Sequence, residues 1–220
     1  MDCLRCTLEL RKHIEINLAN WQKLPTADLQ GLRQAAVALC VVDYRDRGGV
    51  EGLLAAEADS AALVLTKRSS ALKNHPGQWA LPGGRREPGE APEQTALREL
   101  SEEVGLDLPP ENVIGFLDDF ITRSGFLITP VVVWGGPGVR LLKNEHEVSS
   151  IHRIPCLELL RADAPVLEPG AGHHPILFMP VGNSWIAAPT AAILFQFREV
   201  ALLGRNTRVA HYDQPAFAWR

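Results

Sequence analysis

Residues 96–105 read ALRELSEEVG, and this stretch constrains the fold more than any other. At roughly 100° per residue it predicts a helix with two working faces. Ala96, Leu97, Leu100 and Val104 share one arc and require a core. Glu99, Glu102 and Glu103 crowd into an adjacent arc of about 100°. Pro92 opens the helix near its first turn and Gly105 stops it. Carboxylates at a helix C-terminus oppose the helix dipole, and the i,i+4 pair Glu99/Glu103 adds about a few tenths of a kcal/mol of repulsion. Arg98 can reach Glu102 across one turn and so offsets one of the three. The fold must therefore give this helix a core on one side. On the next it must supply either free solvent or a bound dication, and hard cations such as Mg²⁺ take carboxylate, water and phosphate oxygens.

The surrounding pattern alternates strands with helices. Residues 2–22 predict an amphipathic helix with Leu4, Leu8 and Ile14 among its apolar positions. AAVALCVV (35–42) and AALVLTKR (61–68) predict buried strands. Residues 69–84 are broken by Pro76, Gly77, Pro82, Gly83 and Gly84. VIGFLDDFIT and FLITPVVVWGG predict two strands joined by the turn RSG. EHEVSSIHRIP leads into a further strand, CLELLRA into a short helix, PILFMP into a strand, and residues 190–204 into a helix ended by glycine. This order predicts an α/β (α+β) sandwich with a mixed sheet. An N-terminal helical extension over 1–33 and one domain over 34–220 follow from the break at KLPTADLQG.

Composition narrows the function. Of 220 residues 46% are hydrophobic and 22% charged, ordinary for a globular chain. A net charge of −4 lacks the basic excess of a nucleic-acid binder. No stretch has the length to cross a bilayer, and the acids Asp2, Glu9 and Glu15 replace the apolar core of a secretory signal. Four scattered cysteines argue for a reducing, cytoplasmic setting, with the Cys3/Cys6 pair read as unpaired thiols on a helix. The N-terminal helix and the tail PAFAWR are candidate faces for a homodimer.

From Gly84 onward the spacing is Gly84, five residues, Glu90, seven residues, Arg98-Glu99-Leu100, one residue, Glu102-Glu103, one residue, Gly105-Leu106. This window resembles the Nudix box, G-x5-E-x7-R-E-U-x-E-E-x-G-U with U aliphatic, at every fixed position. The resemblance implies a Nudix α/β/α sandwich with an added N-terminal helix, and hydrolysis of a diphosphate joined to another group. It implies that Glu99, Glu102 and Glu103 hold Mg²⁺ or Mn²⁺. Glu90 and Arg98 would clamp loop to helix through a bidentate pair, and Gly105 would cap the helix left-handed. The metals would lower the pKa of a bound water. A carboxylate would then take its proton, with Glu102, Glu145 and Glu147 as the candidates.

The preceding segment, residues 63–84, is similar to the coenzyme A pyrophosphatase branch of that family. Thr66, Arg68, Ser69, Gly77, Pro82, Gly83 and Gly84 match its signature. Val64, Lys73 and Leu81 depart from it, replacing a leucine, an arginine and a phenylalanine. Lys73 keeps charge without the planar fork of arginine. The resemblance implies cleavage of coenzyme A or acyl-coenzyme A to 3′,5′-ADP and 4′-phosphopantetheine or its acylated form. Arg68, Lys73, Lys67, Gly83, Gly84 and Arg85 are the expected substrate-binding residues. Trp79 is either a stacking platform or a core plug. The competing expectations are a Nudix hydrolase of ADP-ribose, a dinucleotide or a nucleoside triphosphate, and a non-catalytic nucleotide-binding module.

Overall fold

The computed structural model describes residues 4–26, 31–45, 50–69, 77–170 and 173–215. Helix α1 spans Leu8–Ala19 and is followed by β1 (Arg33–Asp43), β2 (Ala61–Arg68), β3 (Trp79–Ala80) and β4 (Gly83–Arg85). Then come α2 (Pro92–Val104), β5 (Val113–Phe116), β6 (Phe120–Ile121), β7 (Phe126–Gly136) and β8 (Val148–Pro155). The chain continues with α3 (Cys156–Leu159), β9 (Val166–Glu168), β10 (Ile176–Val181), β11 (Ser184–Ala187) and α4 (Thr190–Gln196). A widened, π-helical turn over Phe197–Leu202 carries α4 onward.

Strand β1 is the spine of a mixed sheet. It runs parallel to β7 along one edge, with Arg33 opposite Phe126 and Val41 opposite Trp134. Its other edge is shared antiparallel between β4 near its start and β2 near its end. Strand β8 lines the far edge of β2. A strand buried on both faces needs apolar residues at every position rather than every second one, which is why the spine reads AAVALCVV.

The alternation of β1 then feeds two cores. Ala36, Ala38, Cys40 and Val42 face α2, meeting Ala96, Leu100 and Val104. Alanines on the strand and at position 96 let the helix approach closely. Leu39 and Val41 point the other way, into the larger core with Ile14 of α1, Met179 of β10 and Ile193 and Phe197 of the last helix. The three-stranded sheet β9–β10–β11 closes that side. The layers are thus α2, mixed sheet, and a second layer of α1, α4 and the small sheet.

Several expectations shift. Helix α1 begins at Leu8 rather than near residue 2, because Leu4–Cys6 runs extended beside residues 59–61, with Ala61 N–H donating to Leu4 O at 2.6 Å. Thr7 then caps the helix through its Oγ1. Its buried face is Leu10, Ile14 and Leu18, while Leu8 is exposed. Cys6 therefore precedes the helix and lies in the core, and Cys40 and Cys156 are buried too. Burial pushes the Cys6 and Cys40 thiols up to about 12, so they are neutral packing groups. Cys3 lies outside the described residues. The strand expected over VIGFLDDFIT is split into β5 and β6 around residues 117–119. No helix among the described residues is long and apolar enough to cross a membrane.

Candidate active site

Strand β4, helix α2 and the loop before β8 meet at one point. Gly84 of β4 pairs with Ala36 of β1, and a Cβ placed on Gly84 would overlap Glu99 Oε1. Glycine there is what lets the carboxylate lie against the strand backbone. A Cβ on Gly83 would likewise strike Ala36 O. Helix α2 ends at Gly105, whose φ of 65° is left-handed, as a glycine cap permits.

Glu90 and Arg98 form the clamp between loop and helix. Arg98 Nε donates to Glu90 Oε1 at 3.0 Å and Nη2 to Oε2 at 3.3 Å. Glu90 also accepts from Thr95 Oγ1 and from the Glu87 N–H. Arg98 chiefly, helped by the other two, holds the Glu90 carboxyl down at about 2. Thr95 was not among the expected site residues. The signal for it was a hydroxyl in the first turn of the helix, one turn before Arg98 and Glu99.

Arg98 does more than the one-for-one offset expected of it. Its Nη1 donates to Glu99 Oε1 at 2.9 Å and to Glu102 Oε2 at 3.0 Å. Glu102 is thus turned along the helix surface, about half exposed. Glu103 has no such partner. It is buried, and its Oε2 makes no hydrogen bond. Burial first, then the nearby Glu99 charge, pushes its carboxyl up to about 8, against the pull of Arg68 and the Gly83 amide. Burial also raises Glu99, with Arg98 opposing.

The loop after β7 brings a third carboxylate. Leu142 N–H donates to Val104 O, and Asn144 N–H to Glu103 O, clipping the loop to the end of α2. Ser69 N–H donates to Glu147 O, tying the loop to the end of β2. Glu99, Glu103 and Glu147 consequently bring carboxylate oxygens within 4.8 Å of one another. Glu145 points away, 81% exposed and 3.5 Å from Lys143. The structure thus joins Glu99 and Glu103 to Glu147, with Glu102 held by Arg98 and Glu145 outside the group.

A dication fits this group on the evidence of the protein alone. Two buried carboxylates held above their normal range, one with an orphaned oxygen, constitute a donor set short of positive charge. Glu99 and Glu103 are the residues that would hold it, with the exposed Glu147 carboxylate beside them.

Beside this group opens a cavity of about 490 Å³. Lys67 and Arg68 lie on its wall with Trp79, Phe126, Phe178 and Trp185. Trp79 packs half-buried against the larger core and also lines the cavity. Lys67 Nζ sits 4.7 Å from its ring, His152 meets it edge-on at 4.8 Å, and its Nε1 donates to Ser184 Oγ. Arg85 lies over the Phe126 ring at 5.4 Å, and its carbonyl accepts from Arg98. Lys73 and His75 lie outside the described residues. Leu81 is buried in the larger core.

A carboxylate trio backed by a glycine strand thus lies next to a cation-rimmed cleft. The chain belongs to the Nudix family, whose domain model matches residues 46–171. It is a hydrolase of that family, whose members act on small nucleotide derivatives with divalent metal ions. Its relatives include an uncharacterised Nudix hydrolase, NudL, of Enterobacter sp. (strain 638), 34% identical over 80% of this chain and 84% of that one. NudL of Yersinia enterocolitica is 35% identical over 60% and 70%. Nudix hydrolase 3 of Caenorhabditis elegans is 38% identical over 61% of this chain and 52% of its own length, so this chain matches about half of the worm protein. Among solved structures, a MutT/nudix family protein from Enterococcus faecalis aligns with 82% of this chain and 62% of its own, at TM-score 0.45 and 19% identity.

Proposed function

We propose that the protein hydrolyses the diphosphate of coenzyme A or acyl-coenzyme A, giving 3′,5′-ADP and 4′-phosphopantetheine or its acylated form. The observation that supports phosphoanhydride cleavage is the convergence of Glu99, Glu103 and Glu147 beside Gly83–Gly84 and the Lys67/Arg68 rim. Support for coenzyme A comes from residues 63–84, whose signature positions include Thr66, Arg68, Ser69 and Gly77. The departure at Leu81 falls on a buried core position and so leaves the cavity wall unchanged.

In this reading Glu99 and Glu103 would hold Mg²⁺ or Mn²⁺, which would neutralise phosphate charge and acidify water. Lys67, Arg68 and Arg85 receive the diphosphate oxygens, and Lys73 would join them. Glu147, the exposed member of the trio, takes the proton as water oxygen bonds to phosphorus and the bridging P–O bond breaks. The released phosphate carries away the bond's electron pair. Glu102 keeps Arg98 in place.

The test is a panel of coenzyme A, acyl-coenzyme A, ADP-ribose, a dinucleoside polyphosphate and a nucleoside triphosphate with Mg²⁺ or Mn²⁺, products identified by mass. Coenzyme A compounds should dominate. A clear preference for ADP-ribose would overturn the substrate, and turnover of none would overturn the reading. Glu147→Gln should lower kcat about 10²-fold or more with little change in KM, while Glu145→Gln stays near wild type.

A further inference from the structure

We propose that the cavity walled by β11 is the subsite for the uncharged pantetheine arm of the substrate and its acyl chain, leaving the 3′-phosphorylated ADP half outside. This rests on the coenzyme A reading and deepens it. The two halves of that substrate differ in charge. The nucleotide half carries a separate 3′-phosphate, while the arm carries two amides, a thiol or thioester and no charge.

The cavity shows the matching asymmetry. Among the described residues lining it, Lys67 and Arg68 are the charged ones, and the next residue, Ser69, donates its N–H to Glu147 O of the carboxylate trio. The diphosphate end is therefore fixed at that rim. Phe126 carries Arg33 and Arg85 over its ring, but on the β10–β11 side the lining residues are neutral, Phe178, Ile186 and Ala187, with the amides of Gln78 and Gln214 nearby. A phosphate carried to the β10–β11 side would lose hydration where no described lining residue is a cation, at a cost of several kcal/mol. An amide-bearing aliphatic arm meets both the apolar surface and hydrogen-bonding groups, the usual make-up of a small-molecule site. Trp79 is held in place by Lys67, His152 and Ser184, and it lines the cavity. The part of this wall given by Phe178 and residues 184–190 lies beyond the segment matched by the family model. The box supplies the chemistry, and this chain's own C-terminal hairpin selects the group attached.

Product inhibition of the full-length protein separates the halves. Ala187→Phe places a ring on the neutral wall. Its Ki for 4′-phosphopantetheine should rise about tenfold, with the Ki for 3′,5′-ADP held within about twofold. Trp185→Ala, at an exposed position of β11, should shift kcat/KM between short and long acyl chains about fivefold. It carries the test alone should Ala187→Phe melt early. Weakened 3′,5′-ADP inhibition, or equal effects on both products, overturns the subsite while leaving coenzyme A hydrolysis standing. A wild-type protein that turns over another nucleotide and is inhibited by neither product removes the substrate reading and the subsite together.

Discussion

Glu103 holds a proton that the unfolded chain would release. Its carboxyl is raised to about 8 by burial and by Glu99. In the metal-free protein the cost of ionising it grows as pH rises from the normal carboxylate range and is complete above about 8. A dication that displaces the proton removes that cost. Mn²⁺ should therefore raise Tm more at pH 9 than at pH 6, and Glu103→Gln should flatten the difference. Differential scanning calorimetry in the two buffers checks this. Glu90 has the opposite sign. Its carboxyl is held at about 2 by Arg98, so the clamp stabilises fully above the normal carboxylate pKa and is lost as pH falls toward 2. Glu90→Gln should cost about 1–3 kcal/mol at pH 7, a gap that closes in acid-unfolding curves below pH 4. Glu99 and Glu103 were legible in the sequence because the spacing of 3.6 per turn fixes their faces, while Glu102, expected with them, is drawn to Arg98 instead. The choice between Glu145 and Glu147 was not legible. It depends on Ser69 N–H meeting Glu147 O, a contact between segments far apart in the chain.

At the level of elements, β4 and α2 act as one unit, because Glu99 lies where the Gly84 side chain would be. Gly84→Ala should displace that carboxylate and lower kcat at least tenfold, since small misplacements at reacting groups are costly. Far-ultraviolet circular dichroism should stay unchanged; a lost fold would contradict the local clash. Strand β1 could be read from its unbroken apolar run, and α2 from its caps. The start of α1 could not, because its first residues pair with residues 59–61, and a helical pattern carries no trace of such a partner. The break between β5 and β6 was hidden for a similar reason. Asp118 leaves the strand to serve groups from three other segments.

Those segments come together across the whole molecule. Asp118 accepts from the Leu24 N–H, from Gln196 Nε2 and from Arg208 Nη1, linking the N-terminal stretch, α4 and the C-terminal stretch. Removing it strips Arg208 of its carboxylate partner and Gln196 of one acceptor, leaving Arg208 with Gln22 O and Gln196 with Thr207 O. Asp118→Ala should cost about 3 kcal/mol and shift a single cooperative melt rather than split it. Two separated transitions would mean that α1 and the C-terminal layer fold apart from the sheet. The spine strand has one more consequence, for synthesis. Arg33 of β1 meets Phe126 of β7, so a nascent chain emerging from the ribosome carries this apolar strand long before the parallel neighbour exists. Such distant pairings fold slowly, and over that interval the strand is a natural client for chaperones.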